Sequence, residues 1–191
     1  MKRTRNLYKP GNNSGLYPLS RSKIDDFIKC KRCFYLDRRL GISKPKSIPF
    51  NLNNAVDKLM KKEFDIFRKK RLPHPLMTEF GFEGKPMEHP SLEIWRQNFK
   101  GVRAPVFGTD LEVTGAIDDL WVKKNNEVYV VDYKATSKSK DGKLSEVNIG
   151  NMWPGYKTQA EIYQWILRKN EINISNIAYF VYCNALQDEE K

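Results

Sequence analysis

The nine residues Val128-Tyr-Val-Val-Asp-Tyr-Lys-Ala-Thr136 constrain the fold of this chain more than any other stretch. β-Branched and aromatic side chains dominate, a composition that suits a pleated, buried surface and reads as a strand. Strand side chains alternate between faces, so Val128, Val130, Asp132 and Lys134 share one face. A carboxylate and an ammonium therefore stand side by side directly after a core-like apolar run. Burying charge there is costly unless a partner or a metal ion compensates. A salt bridge on a wet sheet edge is the plain alternative.

The strand is the second arm of a hairpin. Residues 106–109 and 112–122 read as extended, and Lys123-Lys124-Asn125-Asn126 marks a tight turn between 122 and 128. The first arm carries two adjacent carboxylates in Gly115-Ala-Ile-Asp118-Asp119. A two-residue turn at 125–126 would set Asp119 opposite Asp132, whereas a three-residue loop at 124–126 would set Asp118 there. The pattern leaves both registers open. Either way, two carboxylates and a lysine meet. Hard Mg²⁺ or Mn²⁺ takes oxygen ligands of this kind, usually one or two carboxylates with waters and substrate phosphate. Such an ion activates a bound water and neutralises charge on phosphorus, and a lysine can orient or deprotonate that water. This is the minimum equipment for phosphodiester hydrolysis.

Helical patterns surround the hairpin. Ser22 is placed to cap a helix with Asp25 in its first turn and Gly41 as its stop. Val56, Leu59, Met60, Phe64 and Phe67 predict a second helix over about 54–70, whose other face ends in Arg68-Lys69-Lys70-Arg71, either a solvated face or a phosphate-tracking edge. Residues 73–90 read as irregular, 91–99 as a short helix, 137–155 as a polar loop, 156–169 as an amphipathic helix and 177–182 as a last strand. The order helix, helix, β-meander, helix, strand predicts an α/β sandwich with a central mixed sheet. Residues 1–19 read as a flexible basic arm and 20–191 as one domain.

The 191 residues carry 34 Lys and Arg against 23 Asp and Glu, a formal net charge of +11. That surplus favours a polyanionic partner, nucleic acid or an anionic surface, although it also serves solubility. No apolar run approaches the roughly 20 residues of a membrane span, and residues 1–14 lack a signal-peptide core. A cytoplasmic location is expected, without a membrane partner. Three cysteines argue against a disulfide framework.

The motifs together resemble the PD-(D/E)XK nuclease superfamily, and specifically its RecB-like branch, which includes CRISPR-associated RecB-like exonucleases. Gly115-x-x-Asp118 and Val131-Asp132-Tyr133-Lys134 match the core motif, and Gln159-Ala-Glu-Ile-Tyr163 is similar to the branch's Gln-x-x-x-Tyr. Upstream, Ser20-x-Ser22-x-Ile24-x-x-Phe27-x-x-Cys30-x-x-x-Phe34-Tyr35-Leu36 to Leu40-Gly41 is similar to its N-terminal helix. The resemblance implies a restriction-endonuclease-like core. It implies Asp118 rather than Asp119 as metal ligand, Asp132 as the second carboxylate, the Tyr133 carbonyl as a backbone ligand and Lys134 as the catalytic lysine. Gln159 and Tyr163, at i and i+4, are implied to position the site, although Tyr163 would also suit plain core.

Two departures matter. Where the branch carries a metal-binding histidine, this chain has Asn54-Ala-Val-Asp57, and Asp57 is either an oxygen ligand in its place or a helix-surface aspartate. Some members hold an iron–sulfur cluster on four cysteines. Cys30, Cys33 and Cys183 are three, so a cluster is not expected, and Cys30 and Cys33 are read as partly buried helix residues. The implied function is hydrolysis of DNA by an exonuclease-like enzyme, with a helicase or another protein as a possible partner. The alternatives are a catalytically silent nucleic-acid-binding module, or an accessory subunit of a DNA-repair or defence complex.

Overall fold

A computed structural model of the chain describes residues 6–11, 15–45, 51–136, 139–140, 143–144 and 154–184. The elements run β1 (Tyr17–Ser20), α1 (Arg21–Lys29), α2 (Lys31–Arg39), α3 (Asn51–Lys70), α4 (Pro75–Glu79), β2 (Gly84–Pro86), α5 (Leu92–Trp95), β3 (Val102–Pro105), β4 (Leu111–Gly115), β5 (Asp119–Lys123), β6 (Val128–Thr136), β7 (Ser139–Lys140), β8 (Lys143–Leu144), α6 (Pro154–Lys169) and β9 (Ile174–Asn184).

β6 is the axis of the molecule. It pairs antiparallel with β5 and parallel with β9, and β2 adds an edge, giving the mixed sheet β2-β5-β6-β9. The strand is covered on both faces, and its parity sorts the core. Tyr129, Val131 and Tyr133 pack with Phe64 of α3, Met77, Phe82 and Trp121. Val128 and Val130 pack with Tyr163, Ile166 and Leu167 of α6, and with Leu120, Ile117 and Trp95. Full burial of each such side chain contributes about 1.5–3 kcal/mol, so two helices are held firmly to one sheet. The parallel β6–β9 pair requires a crossover, which α6 supplies.

A second, mixed sheet, β1-β4-β3, stands beside the first. Residues 112–122, expected as one strand, are two strands in two sheets, broken at Ala116-Ile117-Asp118. Ile117 is fully buried and its N–H donates to the Trp95 carbonyl at 3.2 Å, so the break is fixed by packing. The expected strand at 106–109 is instead the turn between β3 and β4.

The N-terminal expectations also shift. Residues 17–19 are not loose: β1 pairs parallel with β4, and Tyr17 is buried. The first helix starts at Arg21, not after Ser22, and it breaks at Cys30, whose extended backbone separates α1 from α2. The Cys30 sulfur accepts the Cys33 N–H at 3.2 Å and so caps α2, which makes Cys30 a junction residue rather than a helical one. In α3, Leu59 points to solvent. The segment 73–90 holds α4 and β2, and residues 139–144 include the β7–β8 ribbon inside the expected loop. No helix of the described residues is long and apolar enough to cross a membrane.

Candidate active site

The hairpin loop is the three-residue one. Asn126 N donates to the Lys123 carbonyl and Lys123 N to the Glu127 carbonyl, both at 3.0 Å. Asn126 adopts φ 61°, a left-handed conformation that asparagine tolerates. The ladder pairs Val122 with Val128 and Asp119 with Val131, so one step further places Asp118 opposite Asp132. Register thereby separates the two aspartates onto opposite faces of the sheet.

Asp119 turns toward α3 and has no exposed surface. Its Oδ1 accepts from Arg68 and from the Leu120 N–H, and Arg96 lies 3.3 Å away. Its Oδ2 accepts the Tyr133 hydroxyl at 2.6 Å. Arg68, expected in a solvated or phosphate-tracking run, is buried, and it also donates to the Met87 carbonyl. This network, with Asp65 as a second carboxylate on Arg68 and Arg96, holds α3, α5 and β6 together.

Asp132 turns toward α6 and is 3% exposed. Gln159 Nε2 donates to its Oδ1 at 2.6 Å, and to the Tyr163 hydroxyl at 3.2 Å. Lys134 pairs with Oδ2, and its ammonium also lies over the Tyr156 ring, 4.5 Å from the centroid. Burial, reinforced by the Asp118 carboxylate nearby, pushes the Asp132 carboxyl up to about 7, against the pull of Lys134. Tyr163 is buried, as plain core would be, but its hydroxyl ends in this chain of polar contacts. Gly115 permits that approach: a Cβ there would stand 2.5 Å from Tyr163 Cε1.

Asp118, the last residue of the break before β5, closes the site from the other side. Its Oδ2 accepts the Tyr133 N–H at 3.1 Å, and its Oδ1 accepts Lys61 Nζ at 2.9 Å. The N–H and C=O of one strand residue point to the same edge, so the Tyr133 carbonyl faces the Asp118 side as well. Asp57 lies one ion pair away: Lys61 Nζ is 2.7 Å from its Oδ1 and 2.8 Å from its Oδ2. Burial and the Asp118 charge raise the Asp57 carboxyl above its ordinary value. The structure thus brings together Asp57, Asp118, Asp132, Lys134, Gln159 and Tyr163, with the Tyr133 backbone between them.

Lys61 and Arg96 enter this region without having been singled out in the sequence. Lys61 follows Asp57 by four residues, a spacing that puts both on one helix face and was available as a signal. Arg96 Nε holds the Asp118 carbonyl at 2.9 Å, a long-range contact with no sequence signature. His74 is a buried N-cap of α4 stacked on Phe64, and His89 stacks on Trp95, so both histidines have structural places.

The donor set suits a hard divalent cation. Among the described residues no three His, Cys, Asp or Glu side chains converge as a ready cage. Two carboxylates and a carbonyl with water and phosphate are, however, the usual complement for Mg²⁺ or Mn²⁺. Asp132 Oδ2 and Asp57 Oδ1 are buried without hydrogen bonds of ordinary geometry, and each is paired with a lysine ammonium. Carboxylates that repel one another and raise each other's pKa are stabilised when a cation joins them.

A family model, the PD-(D/E)XK nuclease superfamily, matches residues 51–190, from the start of α3 past the end of β9. The chain is also similar to a crossover junction endodeoxyribonuclease of Sulfolobus islandicus rod-shaped virus 1, with 45% identity over 56 residues, 29% of this chain and 44% of that protein. The chain therefore spans less than half the length of that curated relative. No solved structure matches. Mixed sheets flanked by helices agree with a restriction-endonuclease-like fold, every residue of the polar cluster lies inside the matched region, and the chain belongs to the PD-(D/E)XK nuclease superfamily.

Proposed function

We propose that this chain is a divalent-metal-dependent nuclease that hydrolyses DNA phosphodiester bonds in the cytoplasm, using Asp118, Asp132 and Lys134. The observation that carries the reading is the hairpin register, which sets Asp118 against Asp132 with Lys134 beside them. Asp118, Asp132 and the Tyr133 carbonyl would hold Mg²⁺ or Mn²⁺, with Asp57 at the position of the branch's histidine. Such an ion would supply Lewis acidity, lowering the pKa of a water and neutralising charge at phosphorus. Lys134 orients or deprotonates the attacking water and stabilises the transition state. Gln159 fixes the rotamer of Asp132 through its 2.6 Å bond, and Tyr163 fixes Gln159 in turn.

The Gln159–Tyr163 pair and the N-terminal helical motif support the RecB-like branch and exonuclease-like action on ends, with a helicase or other protein as partner. The similarity to a crossover junction endodeoxyribonuclease supports a second reading, internal cutting of branched DNA. Labelled linear, circular and four-way-junction DNA, incubated with Mg²⁺ or Mn²⁺ and with chelator, separate the two. Cleavage is expected only with the metal, and Lys134→Ala should slow it by about 10²-fold or more. Cleavage that survives Lys134→Ala sinks the mechanism. Binding without cleavage by the unaltered chain points to a silent DNA-binding module instead.

A further inference from the structure

We propose that Lys61 is a resident cation of the active site, competing with the divalent ion for Asp118 and thereby lowering the site's affinity for metal. The inference rests on the proposed role of Asp118 and Asp132 as ligands and goes beyond it, to a residue outside the Gly115-x-x-Asp118 and Asp132-Tyr133-Lys134 motifs.

The geometry is specific. The Tyr133 N–H takes Asp118 Oδ2, and Lys61 takes Oδ1, the oxygen left over. The same ammonium meets both oxygens of Asp57. Its side chain is 18% exposed, whereas its helix neighbours Lys58 and Lys62 are exposed to solvent. Burial works against the Lys61 charge, yet Asp118 and Asp57 outweigh it and hold the ammonium above its ordinary pKa. Three carboxylates, Asp57, Asp118 and Asp132, thus face two fixed ammoniums, Lys61 and Lys134. An ammonium has no lone pair to offer a metal, and it repels one. Without a cation Lys61 keeps Asp57 and Asp118 from pushing apart. With one it must yield Asp118 or share it, and that exchange weakens binding.

Calorimetric titration of the full chain with Mn²⁺, in the absence of DNA, tests this. The unaltered chain should bind Mn²⁺, and Asp132→Asn should weaken that binding. Lys61→Met should tighten it by at least about tenfold, since a like charge near the ion is gone. Lys61→Gln, which keeps a hydrogen-bond donor without the charge, should tighten it similarly, and it preserves the test if the methionine variant misfolds. Lys61→Arg should retain the original affinity. Unchanged or weaker Mn²⁺ binding in the neutral variants, while Asp132→Asn still weakens the parent, overturns the role of Lys61 alone. If Asp132→Asn leaves Mn²⁺ binding untouched, the proposed ligand set fails and the inference falls with it.

Discussion

Asp119 has both oxygens taken by buried partners, and it shares Arg68 and Arg96 with Asp65. Asp118, one residue earlier, is 20% exposed at its side chain, accepts from the Tyr133 N–H and Lys61, and stands beside the Asp57 and Asp132 carboxyls. The two aspartates are chemically identical, and the strand assigns one to the scaffold and the other to the site. Asp119→Asn removes the fully buried one of the two carboxylates that Arg68 and Arg96 share, leaving them Asp65, and losing one partner of a buried pair costs about 3–5 kcal/mol. Its denaturation midpoint should fall steeply. Asp118→Asn should abolish metal-dependent cleavage while leaving the midpoint near that of the unaltered chain. Equal stability losses in the two variants would contradict this division of labour.

At the scale of elements, the face shared by Asp132 and Lys134 was legible because strand parity needs only one strand. The strand pattern alone did not choose between Asp118 and Asp119, since that turns on one loop residue, Asn126, in a left-handed conformation that several residue types tolerate; the Gly115-x-x-Asp118 motif was what pointed to Asp118. The break at 116–118 was hidden because Ile117 is as apolar as its strand neighbours, and a contact with Trp95, far off in sequence, places it. Gly115 was visible as part of a motif, but its reason appears only when α6 lies on β4. A Cβ at Gly115 meets Tyr163 Cε1 at 2.5 Å and Cδ1 at 2.9 Å, and that ring is buried and cannot swing aside. Gly115→Ala should therefore push α6 outward, at the cost of about 1–3 kcal/mol typical of overpacking. Because Tyr163 supports Gln159, and Gln159 supports Asp132, cleavage should fall further than the lost stability explains. A variant with reduced midpoint and unimpaired turnover at a temperature where it is folded would show that the Tyr163–Gln159 link carries no positioning role.

For the whole molecule, the net charge of +11 coexists with a site that holds three carboxylates against two lysines. The positive surplus therefore lies outside the proposed catalytic cluster, where it can draw in a polyanion without filling the proposed metal position. Part of it borders the site directly. On α3, Asp57 and Lys61 turn inward, and Lys58 and Lys62, each one residue further along the helix, are exposed beside them. On the proposed site, a DNA strand whose phosphate reaches Asp118 and Lys134 would pass this edge of α3. Each Lys–phosphate contact releases condensed counterions, so the logarithm of the binding constant falls linearly with the logarithm of salt concentration. Affinity for duplex DNA, measured by fluorescence anisotropy in chelator so that no strand is cut, should accordingly drop steeply between low and physiological salt. Replacing both Lys58 and Lys62 by alanine should lower the magnitude of that slope by about 2, one for each lost contact, and weaken binding to all sequences alike. An unchanged slope in the double variant would place the DNA path elsewhere on the surface, away from the α3 edge.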